Sequence, residues 1–307
     1  MSFIIDEKYE LRINENLALD EDIGFFYKEE FYNLHLTTKN FLIQITKINS
    51  QKVLAQFHCG ECDSGEFKSP RRGSFGGMWF SEKLYPDTVE SFYKAIFGYL
   101  SENGVQSLEI ILPPDSYWSR QNAVTINVLL RLGANPSLPE LNYDLEITPF
   151  DYERAIDHGN RKQLKKAIKE GYRVEVLETS QLREVYDVIV ESREKKGFPV
   201  TMSYEALLEM SEALPDIFRL FGVYDKDRLI ASSVCMAVNN DILYVFYWGD
   251  VAGVERFSPI TMISQRIYQY CLDKRFRLLD VGTSTVDGIP NHGLVRYKRK
   301  LKYSESL

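Results

Sequence analysis

The pattern of apolar and polar positions changes period several times along the chain, and it does so in the same order twice. Residues 40–114 read as strand, turn, strand, glycine-rich stretch, helix, turn and strand, and residues 216–284 read much the same way. The best-matched pieces are residues 74–112 and 243–282, whose identity is low, so the repeat is one of pattern. A unit of this size that occurs twice predicts two like-folded domains rather than a solenoid.

One helix in each half carries the repeat. In residues 87–102 the apolar side chains recur at helical spacing and predict one buried stripe, made of Val89, Phe92, Tyr93, Ile96, Phe97 and Leu100. The counterpart is residues 258–274, where Ser258 suits the N-cap and Pro259 the first helical position. Because each helix lies between a strand and a buried strand, we expect the two to occupy equivalent places.

The periodicity of apolar residues in the other segments predicts the remaining strands and helices of the two halves. The first half is predicted to have strands over residues 41–47, 52–59, 107–112 and 141–147, with a second helix over 121–132. The second half is predicted to have helices over residues 152–170, 180–196 and 203–213, and strands over 173–177, 218–224, 229–238, 242–248 and 278–281. Pro149 marks the boundary. The sequence therefore predicts an α/β fold of two mixed sheets, in domains 1–148 and 149–307.

Composition narrows the classes of function. The chain has 37 basic and 44 acidic residues, a net charge of −7, which argues against a dedicated nucleic-acid binder. It has no apolar stretch of signal-peptide character at the start and no apolar run long enough to span a bilayer, so we expect a cytoplasmic protein. Cys59 and Cys62 form a lone CxxC beside His58. A structural zinc site needs four ligands, so we expect no metal and interpret these cysteines as small apolar side chains.

The segment from Trp248 to Thr261 is the first candidate for chemistry. A strand ends, a loop with Gly253 follows, and a helix begins at Ser258. Free backbone N–H groups at such a helix start bind anions, and Arg256 just before it can add a bidentate contact to phosphate. The alternative is an ordinary capped helix that binds nothing.

The C-terminal segment is the second candidate. A buried strand is followed by small and polar residues, among them Ser284, Asn291 and His292, and then by a basic and aromatic end with Tyr297 and Lys298. Polar residues directly after a hydrophobic strand suit a ligand site at the carboxyl end of that strand. A solvated surface loop is the alternative.

Three pieces of sequence together resemble the Fem-type aminoacyltransferases (FemABX-like) and the CelD-like acyltransferases. They are SPRRGSFGGMWF at residues 69–80, NRKQLKKAIKEGYRVEV at 160–176, and the Gly-hydrophobic-Arg-aromatic-Lys run that ends at Lys298. Their order and spacing match from about Phe41 to the C-terminus. The resemblance implies a tandem pair of acyl-CoA N-acyltransferase (GNAT-type) domains, which agrees with the internal repeat.

The resemblance leaves the acyl donor open. Residues 251–256 lack the usual GNAT signature Arg/Gln-x-x-Gly-x-Gly/Ala, and the chain lacks the helical hairpin that some Fem enzymes use around transfer RNA. Acyl-CoA and charged tRNA therefore both remain as donors. In the first case the resemblance implies that Gly253, Arg256 and Ser258 hold the pyrophosphate of CoA.

The basic helix at residues 160–170 is a candidate for substrate binding. Five basic residues lie on adjoining faces, where like charges repel one another unless an anion offsets them: Arg161, Lys162, Lys165, Lys166 and Lys169. With the family resemblance, this predicts contact with a nucleotide-linked sugar or with the phosphates of CoA. A solvated face is the alternative reading.

Acyl transfer needs a base for the acceptor's proton, donors for the oxyanion and an acid for the leaving group. By resemblance to GNAT enzymes, Tyr297 is predicted to be the acid and Lys298 to stabilise developing charge. Asp250, at a strand end, and His292 are the candidate bases, and Asp280 is expected to orient a partner by hydrogen bonding.

The sequence thus predicts an acyltransferase that moves an acyl or aminoacyl group onto an amine, or less favourably a hydroxyl, of a sugar- or peptidoglycan-related acceptor. Two alternatives stay open: an aminoacyl-tRNA-dependent enzyme of the same fold, and a non-catalytic module that binds a cell-envelope precursor or nucleotide sugar. The sequence does not determine the acceptor, the donor or the oligomeric state.

Overall fold

The computed structural model describes residues 2–19 and 22–307, and the chain forms two compact units, Met1–Ser137 and Leu138–Leu307. The boundary lies eleven residues before the predicted one at 148/149. The reason is the strand Asn142–Glu146, which the sequence assigned to the first half. This strand hydrogen-bonds to Leu278–Thr283 and to Ser304–Ser306, both in the second unit.

Among the described residues, the sheet of the first unit has seven strands. They are β1 (Ser2–Ile4), β2 (Tyr9–Ile13), β3 (Asn40–Lys47), β4 (Val53–Asp63), β5 (Glu66–Ser69), β6 (Trp79–Phe80) and β7 (Ser107–Ile110). The order is β1-β2-β3-β4-β5-β7, and β6 pairs with β4. The pair β5 and β7 is parallel, whereas the other pairs are antiparallel.

Three α-helices accompany this sheet in the described chain: α1 (Glu29–Asn33), α2 (Pro86–Glu102) and α3 (Ser119–Arg131). The predicted stripe of α2 is confirmed, because Val89, Phe92, Tyr93 and Ile96 are fully buried in the core of this unit. An aromatic segment that includes Phe25, Phe26 and Phe31 is also buried.

The second unit has a second mixed sheet. Its strands are β8 (Asn142–Glu146), β9 (Arg173–Leu177), β10 (Phe218–Asp225), β11 (Arg228–Ala237), β12 (Ile242–Asp250), β13 (Leu278–Thr283) and β16 (Ser304–Ser306), and β14 (Thr285–Val286) with β15 (Ile289–Pro290) forms a separate hairpin. The order is β16-β8-β13-β12-β11-β10-β9. The pair β12 and β13 is parallel.

Its helices are α4 (Tyr152–Ala155), α5 (His158–Glu170), α6 (Leu182–Lys195), α7 (Tyr204–Ala213), α8 (Pro259–Lys274) and α9 (His292–Lys300). The helix predicted over residues 152–170 is interrupted at Ile156–Asp157. Asp157 caps α5 by accepting a hydrogen bond from the Gly159 N–H. No helix among the described residues is long and apolar enough to cross a membrane.

The internal repeat is confirmed at the level of topology. In the first unit, β3, β4 and β5 are followed by α2 and by β7, which lies parallel to β5. In the second unit, β10, β11 and β12 are followed by α8 and by β13, which lies parallel to β12. The helices α2 and α8 are therefore equivalent crossovers.

Candidate active site

The two parallel strands of the second unit separate after a short ladder. β12 and β13 pair at three positions that begin at Ile242 and Leu278. Beyond these positions β12 stays with β11 as far as Asp250, whereas Thr283 of β13 pairs with β8. The strands therefore diverge and leave a wedge between their carboxyl ends. The crevice at the carboxyl ends of parallel strands is the usual place for a ligand.

A β-bulge lies beside the wedge. The register between β11 and β12 shifts so that Val245 faces Cys235 and Tyr247 faces Val234, which leaves Phe246 as the extra residue. A bulge takes main-chain polar groups out of the ladder and re-aims them. Main-chain N–H groups at such a place are the kind of donor that a developing oxyanion needs.

Helix α8 begins next to the wedge, but Ser258 does not cap it in the predicted way. Its backbone has a left-handed φ of 47°, and no side-chain capping hydrogen bond is present. Its hydroxyl instead lies 2.9 Å from the Thr261 hydroxyl. Pro259 at the first helical position has no N–H. The start of α8 thus carries a small hydroxyl cluster.

Tyr297 reaches this cluster from α9. Its hydroxyl lies 3.5 Å from Ser258 Oγ and 3.4 Å from Thr261 Oγ1. Burial raises the pKa of Tyr297, and the Asp250 carboxylate raises it further, against the two hydroxyl contacts that lower it. The phenol is therefore protonated at neutral pH, as a general acid must be before it reacts. The residue packs on the core through its ring, and its polar end faces the start of α8.

Lys298 is the next residue of α9 but points elsewhere. Its ammonium nitrogen donates to the carbonyl oxygens of Gly282 at 2.7 Å and Thr283 at 2.9 Å, and the residue is 1% exposed. Burial lowers the pKa of Lys298 to about 7, although the Asp280 carboxylate opposes this. Asp280 in turn accepts from the Gly282 N–H at 2.7 Å. The peptide of Gly282 is thus held between a carboxylate and an amine, which fixes the end of β13.

Asp250 lies at the end of β12, where burial raises the pKa of its carboxyl group. Its nearest cation is Lys196, 3.7 Å away. The approach of α6 makes this contact possible, because a Cβ at Gly249 would lie 2.6 Å from the Ser192 Cβ. A partly buried carboxyl group with a raised pKa is a better proton acceptor than an exposed one.

The loop after β12 does not fit the diphosphate of CoA in the predicted way. Two of its amides already have carboxylate partners: the Ala252 N–H donates to Glu191 at 3.0 Å, and the Gly253 N–H donates to Glu255 at 3.2 Å. Glu255 is also in close contact with Lys195, which is the first of several causes that lower the pKa of Glu255 to about 2. The loop therefore carries its own anions.

Arg256 extends from the same loop and is exposed. Its guanidinium lies over the Phe257 ring at 4.6 Å, and it makes no ion pair among the described residues. A guanidinium that rests on an aromatic ring keeps its N–H donors free at the edge. Arg256 is thus the part of the predicted anion site that the structure leaves open to a ligand.

Three of the predicted site residues lie in the segment after β13, and each has a different environment. Ser284 is 3% exposed, and its hydroxyl has no hydrogen-bond partner within the described part of the chain. Asn291 caps α9 by accepting from the Leu294 N–H at 3.1 Å, which is a structural role. His292, the first residue of α9, is exposed. The structure brings neither Asn291 nor His292 into contact with the Tyr297 hydroxyl.

The basic helix α5 is partly neutralised. Arg161 donates to the carbonyl oxygens of Arg154 at 2.8 Å and Ile156 at 3.1 Å, so it holds the end of α4. Lys165 forms an ion pair with Glu153 at 2.9 Å. Lys166 is exposed. Because α5 packs against α8, this helix lies beside the one that begins the site.

Sequence reasoning missed several hydroxyl groups of the site. Thr261 and Ser264 follow Ser258 at intervals of three, so one face of α8 carries hydroxyls. The Ser264 hydroxyl lies 2.6 Å from the hydroxyls of both Tyr152 and Tyr303. The spacing of small hydroxyl residues in a mostly apolar helix was the available signal. The tyrosines come from distant segments, and no local pattern connects them.

The two cysteines of the CxxC motif lie in the first unit. Cys59 is buried in the apolar core, and Cys62 lies near the surface. No group of three or more metal-ligating side chains occurs within residues 2–19 and 22–307.

A parallel strand pair that opens beside a helix start, with an acid and a base candidate at its edges, is the candidate acyl-transfer site of this chain. Residues 158–299 match the family model of the acetyltransferase (GNAT) domain. This segment runs from α5 to α9 and includes the wedge, the start of α8 and Tyr297. The prediction of an enzyme of the acyltransferase class is confirmed by this match.

Solved structures extend the likeness to both units. FemX is 12% identical, with 95% of this chain and 91% of that chain covered and a TM-score of 0.67. A conserved protein of unknown function from Bacteroides thetaiotaomicron VPI-5482 is 9% identical, with 94% and 93% covered and a TM-score of 0.57. L-PGS from Bacillus licheniformis is 13% identical, with 82% and 79% covered and a TM-score of 0.53.

At these identities the likeness shows the fold. The predicted resemblance to Fem-type tandem GNAT proteins is confirmed at that level. No curated protein matches the chain by sequence.

Proposed function

We propose that the chain transfers an acyl or aminoacyl group to an amine of a sugar- or peptidoglycan-related acceptor, with the wedge between β12 and β13 as its reaction site. The observation that carries the proposal is the Tyr297 hydroxyl, 3.5 Å from Ser258 at the edge of the wedge. A protonated phenol with a raised pKa, near a carboxylate with a raised pKa, is an acid and base pair suited to acyl transfer.

The proposed chemistry is a single displacement. The acceptor nitrogen bonds to the acyl carbon, and Asp250 accepts the proton that the nitrogen loses. Main-chain N–H groups at the Phe246 bulge stabilise the oxyanion. When the bond from the acyl carbon to the donor breaks, the departing sulfur or oxygen takes its proton from Tyr297. Lys298 supports this arrangement by holding Gly282 and Thr283, and it is placed to fix the end of β13 rather than to touch the acyl group.

Two donors remain, and a different observation favours each. A CoA thioester is favoured by the match to the acetyltransferase (GNAT) domain and by the unpaired Arg256. A donor without a diphosphate at this loop, such as the ester of a charged tRNA, is favoured by the carboxylates of Glu191 and Glu255 on the loop amides. The name of another protein of similar fold, a putative lysylphosphatidylglycerol synthetase from Agrobacterium fabrum, also points to aminoacyl transfer.

The acceptor is proposed from the family resemblance and from α5. Lys166 is exposed on this helix, beside the partly neutralised Lys165. An anionic acceptor, such as a nucleotide-linked sugar, would find Lys162, Lys166 and Lys169 without ion-pair partners among the described residues, and a further cation in Lys165 by displacing Glu153. This is a weak anchor, so the anion contributes to encounter more than to affinity.

The donor is tested with purified protein and a panel of CoA thioesters and charged tRNAs, by equilibrium binding and by turnover with amine acceptors. A donor that binds and is consumed in the presence of an amine supports transfer. Binding of cell-envelope precursors without turnover on any donor would instead support the non-catalytic alternative.

The loop carboxylates give a sharper form of the same experiment. If the CoA diphosphate uses this loop, Arg256→Ala weakens CoA binding by about 1–3 kcal/mol, because a charge-assisted contact is lost. The change Glu255→Gln should then tighten CoA binding, because a competing anion is removed. Arg266→Ala, also on the second unit but on α8, is the matched control. If neither loop variant alters CoA binding, the loop does not hold the diphosphate.

A further inference from the structure

The first unit contains a cavity that the acyl-transfer site does not use. It lies between α1, the middle of β4 and the turn after β5, and its lining includes His35, His58, Arg71 and Arg72 with Asn40 and Tyr32. All these residues belong to the first unit, so the cavity is complete within it.

The two histidines of this cavity are uncharged. His58 is 5% exposed, with the rings of Tyr27 and Tyr32 set edge-on to it at centroid distances of 6.2 and 6.0 Å. Burial lowers the pKa of His58 to about 4, and burial followed by Arg72 lowers the pKa of His35 to about 4. Nδ1 of His35 is buried and has no hydrogen-bond partner among the described residues. A buried polar atom without a partner costs free energy unless a ligand or water satisfies it.

The two arginines supply positive charge that the protein does not neutralise. Arg71 donates through Nε to the Glu61 carbonyl oxygen at 2.9 Å, which fixes its orientation. Neither Arg71 nor Arg72 has an ion-pair partner within the described chain, and the cavity has no acidic residue in its lining. Arg71 also lines a neighbouring, shallow recess together with Glu61 and Asp63, but it forms no ion pair with either carboxylate. Two unpaired guanidinium groups on consecutive residues form a typical oxyanion site.

The size of the cavity limits what enters it. The cavity is partly open to the surface, and its volume of about 10 Å³ is room for one water-sized group. The wall is close-packed at Gly60, where a Cβ would lie 2.8 Å from Asn40 Oδ1 and 3.0 Å from Arg71 Cδ. A cavity of this size admits only one oxygen of a tetrahedral anion, so the other oxygens of such an anion would have to lie at the mouth, where Arg72 is exposed.

We propose that this cavity binds a phosphate group, with Arg71 and Arg72 as its charge partners and His35 as a neutral hydrogen-bond partner. The proposal is independent of the acyl-transfer function, because it concerns a different unit and no residue of the wedge. The phosphate is either free or part of a phosphorylated small molecule, since the cavity recognises the same group in both.

Histidine resonances test the proposal directly, because the chain has 4 histidines and two are outside the cavity. In ¹H–¹⁵N spectra of the full chain, added inorganic phosphate should give saturable shifts at His35 and His58. The exposed His158 and His292 of the second unit should stay unchanged, and they act as internal controls. Glycerol 3-phosphate is titrated in parallel. Tighter binding of the ester identifies a phosphorylated molecule as ligand, and equal or weaker binding identifies free phosphate.

Variants sharpen the result. Arg71→Gln and Arg72→Gln should each weaken phosphate binding about tenfold or more, because each removes a charge-assisted contact. Arg131→Gln removes the same charge from α3, where Arg131 pairs with Glu90, and should change nothing. If the variants fail to fold, the titration of the unmodified chain still decides. The absence of saturable shifts with both probes at millimolar concentration, or equal shifts at all four histidines, would overturn the proposal.

Discussion

The two units share one topology, but their parallel strand pairs differ in how far the strands stay hydrogen-bonded to each other. In the first unit β5 and β7 pair along their whole length, from Glu66 with Ser107 to Ser69 with Ile110. In the second unit β12 and β13 separate after three positions. A fully paired ladder satisfies its own main-chain groups and leaves no room for a substrate, whereas a separated pair exposes both. The comparison indicates a duplicated scaffold in which one copy carries the candidate acyl-transfer site.

The start of the helix within each strand–helix–strand crossover also differs between the two units. α2 and α8 both begin with a proline, but Tyr85 before α2 is exposed and makes no side-chain capping bond. Ser258 before α8 joins a hydroxyl cluster with Thr261 and Tyr297. In the first unit, a cluster of polar residues that includes His35 and Arg71 lies instead at the cavity beside the end of β5. The polar groups near the strand pair thus differ between the two units.

The largest expected effect is on catalysis in the second unit. If Tyr297 is the general acid, Tyr297→Phe lowers turnover by roughly 10²–10⁴-fold and leaves substrate binding nearly unchanged. Tyr93→Phe removes a buried hydroxyl from α2 of the first unit and should leave turnover as it is. Turnover and binding are measured on both variants. Equal activity of Tyr297→Phe and the unmodified chain would show that Tyr297 only packs.

The next effect concerns packing and compares one glycine from each unit. Gly249→Ala places a Cβ 2.6 Å from the Ser192 Cβ and should lower the free energy of unfolding by about 1–3 kcal/mol, because α6 has to shift. Gly98→Ala in α2 meets no atom within 4 Å and should raise it by about 0.5–1 kcal/mol. Denaturant unfolding of both variants checks the signs. A neutral Gly249→Ala would mean that α6 does not depend on this close approach.

Lys298 predicts a difference in the pH dependence of stability. Its pKa is about 7 in the folded chain against the ordinary value of 10.5. Above pH 7 the unfolded chain keeps a proton that the folded chain has released, so this residue makes the free energy of unfolding rise with pH up to about 10.5. In Lys298→Met that part of the rise is lost, whereas the exposed Lys300→Met keeps it. Parallel slopes for Lys298→Met and the unmodified chain would contradict a neutral buried amine.

The smallest effect is expected at the basic helix. Lys165→Ala with Lys166→Ala should raise the KM for an anionic acceptor by about two- to fivefold and flatten its dependence on salt, because exposed charges contribute little. Lys226→Ala with Lys274→Ala removes the same charge elsewhere on the second unit. If both pairs behave alike across salt concentrations, α5 is a solvated face.

The sequence by itself determined the repeat, the equivalent helices α2 and α8 and most strand positions, because these follow from periods of two and 3.6 residues that any short window contains. It also pointed to the region of the site, since small and polar residues follow a buried strand at Gly282. The family motifs then identified the GNAT-type fold. These are local signals, and a single sequence is enough to detect them.

The tertiary structure alone decided the rest. The strand Asn142–Glu146 belongs to the second sheet because its partners lie more than 130 residues further along the chain, and an isolated strand pattern does not name its partner. The same holds for the Tyr297 hydroxyl at Ser258, for Lys298 on the carbonyl of Gly282 and for the carboxylates of Glu191 and Glu255 on the loop amides. Each of these contacts depends on which of several exposed polar groups the packing brings together, and that choice is made by the whole core rather than by neighbouring residues.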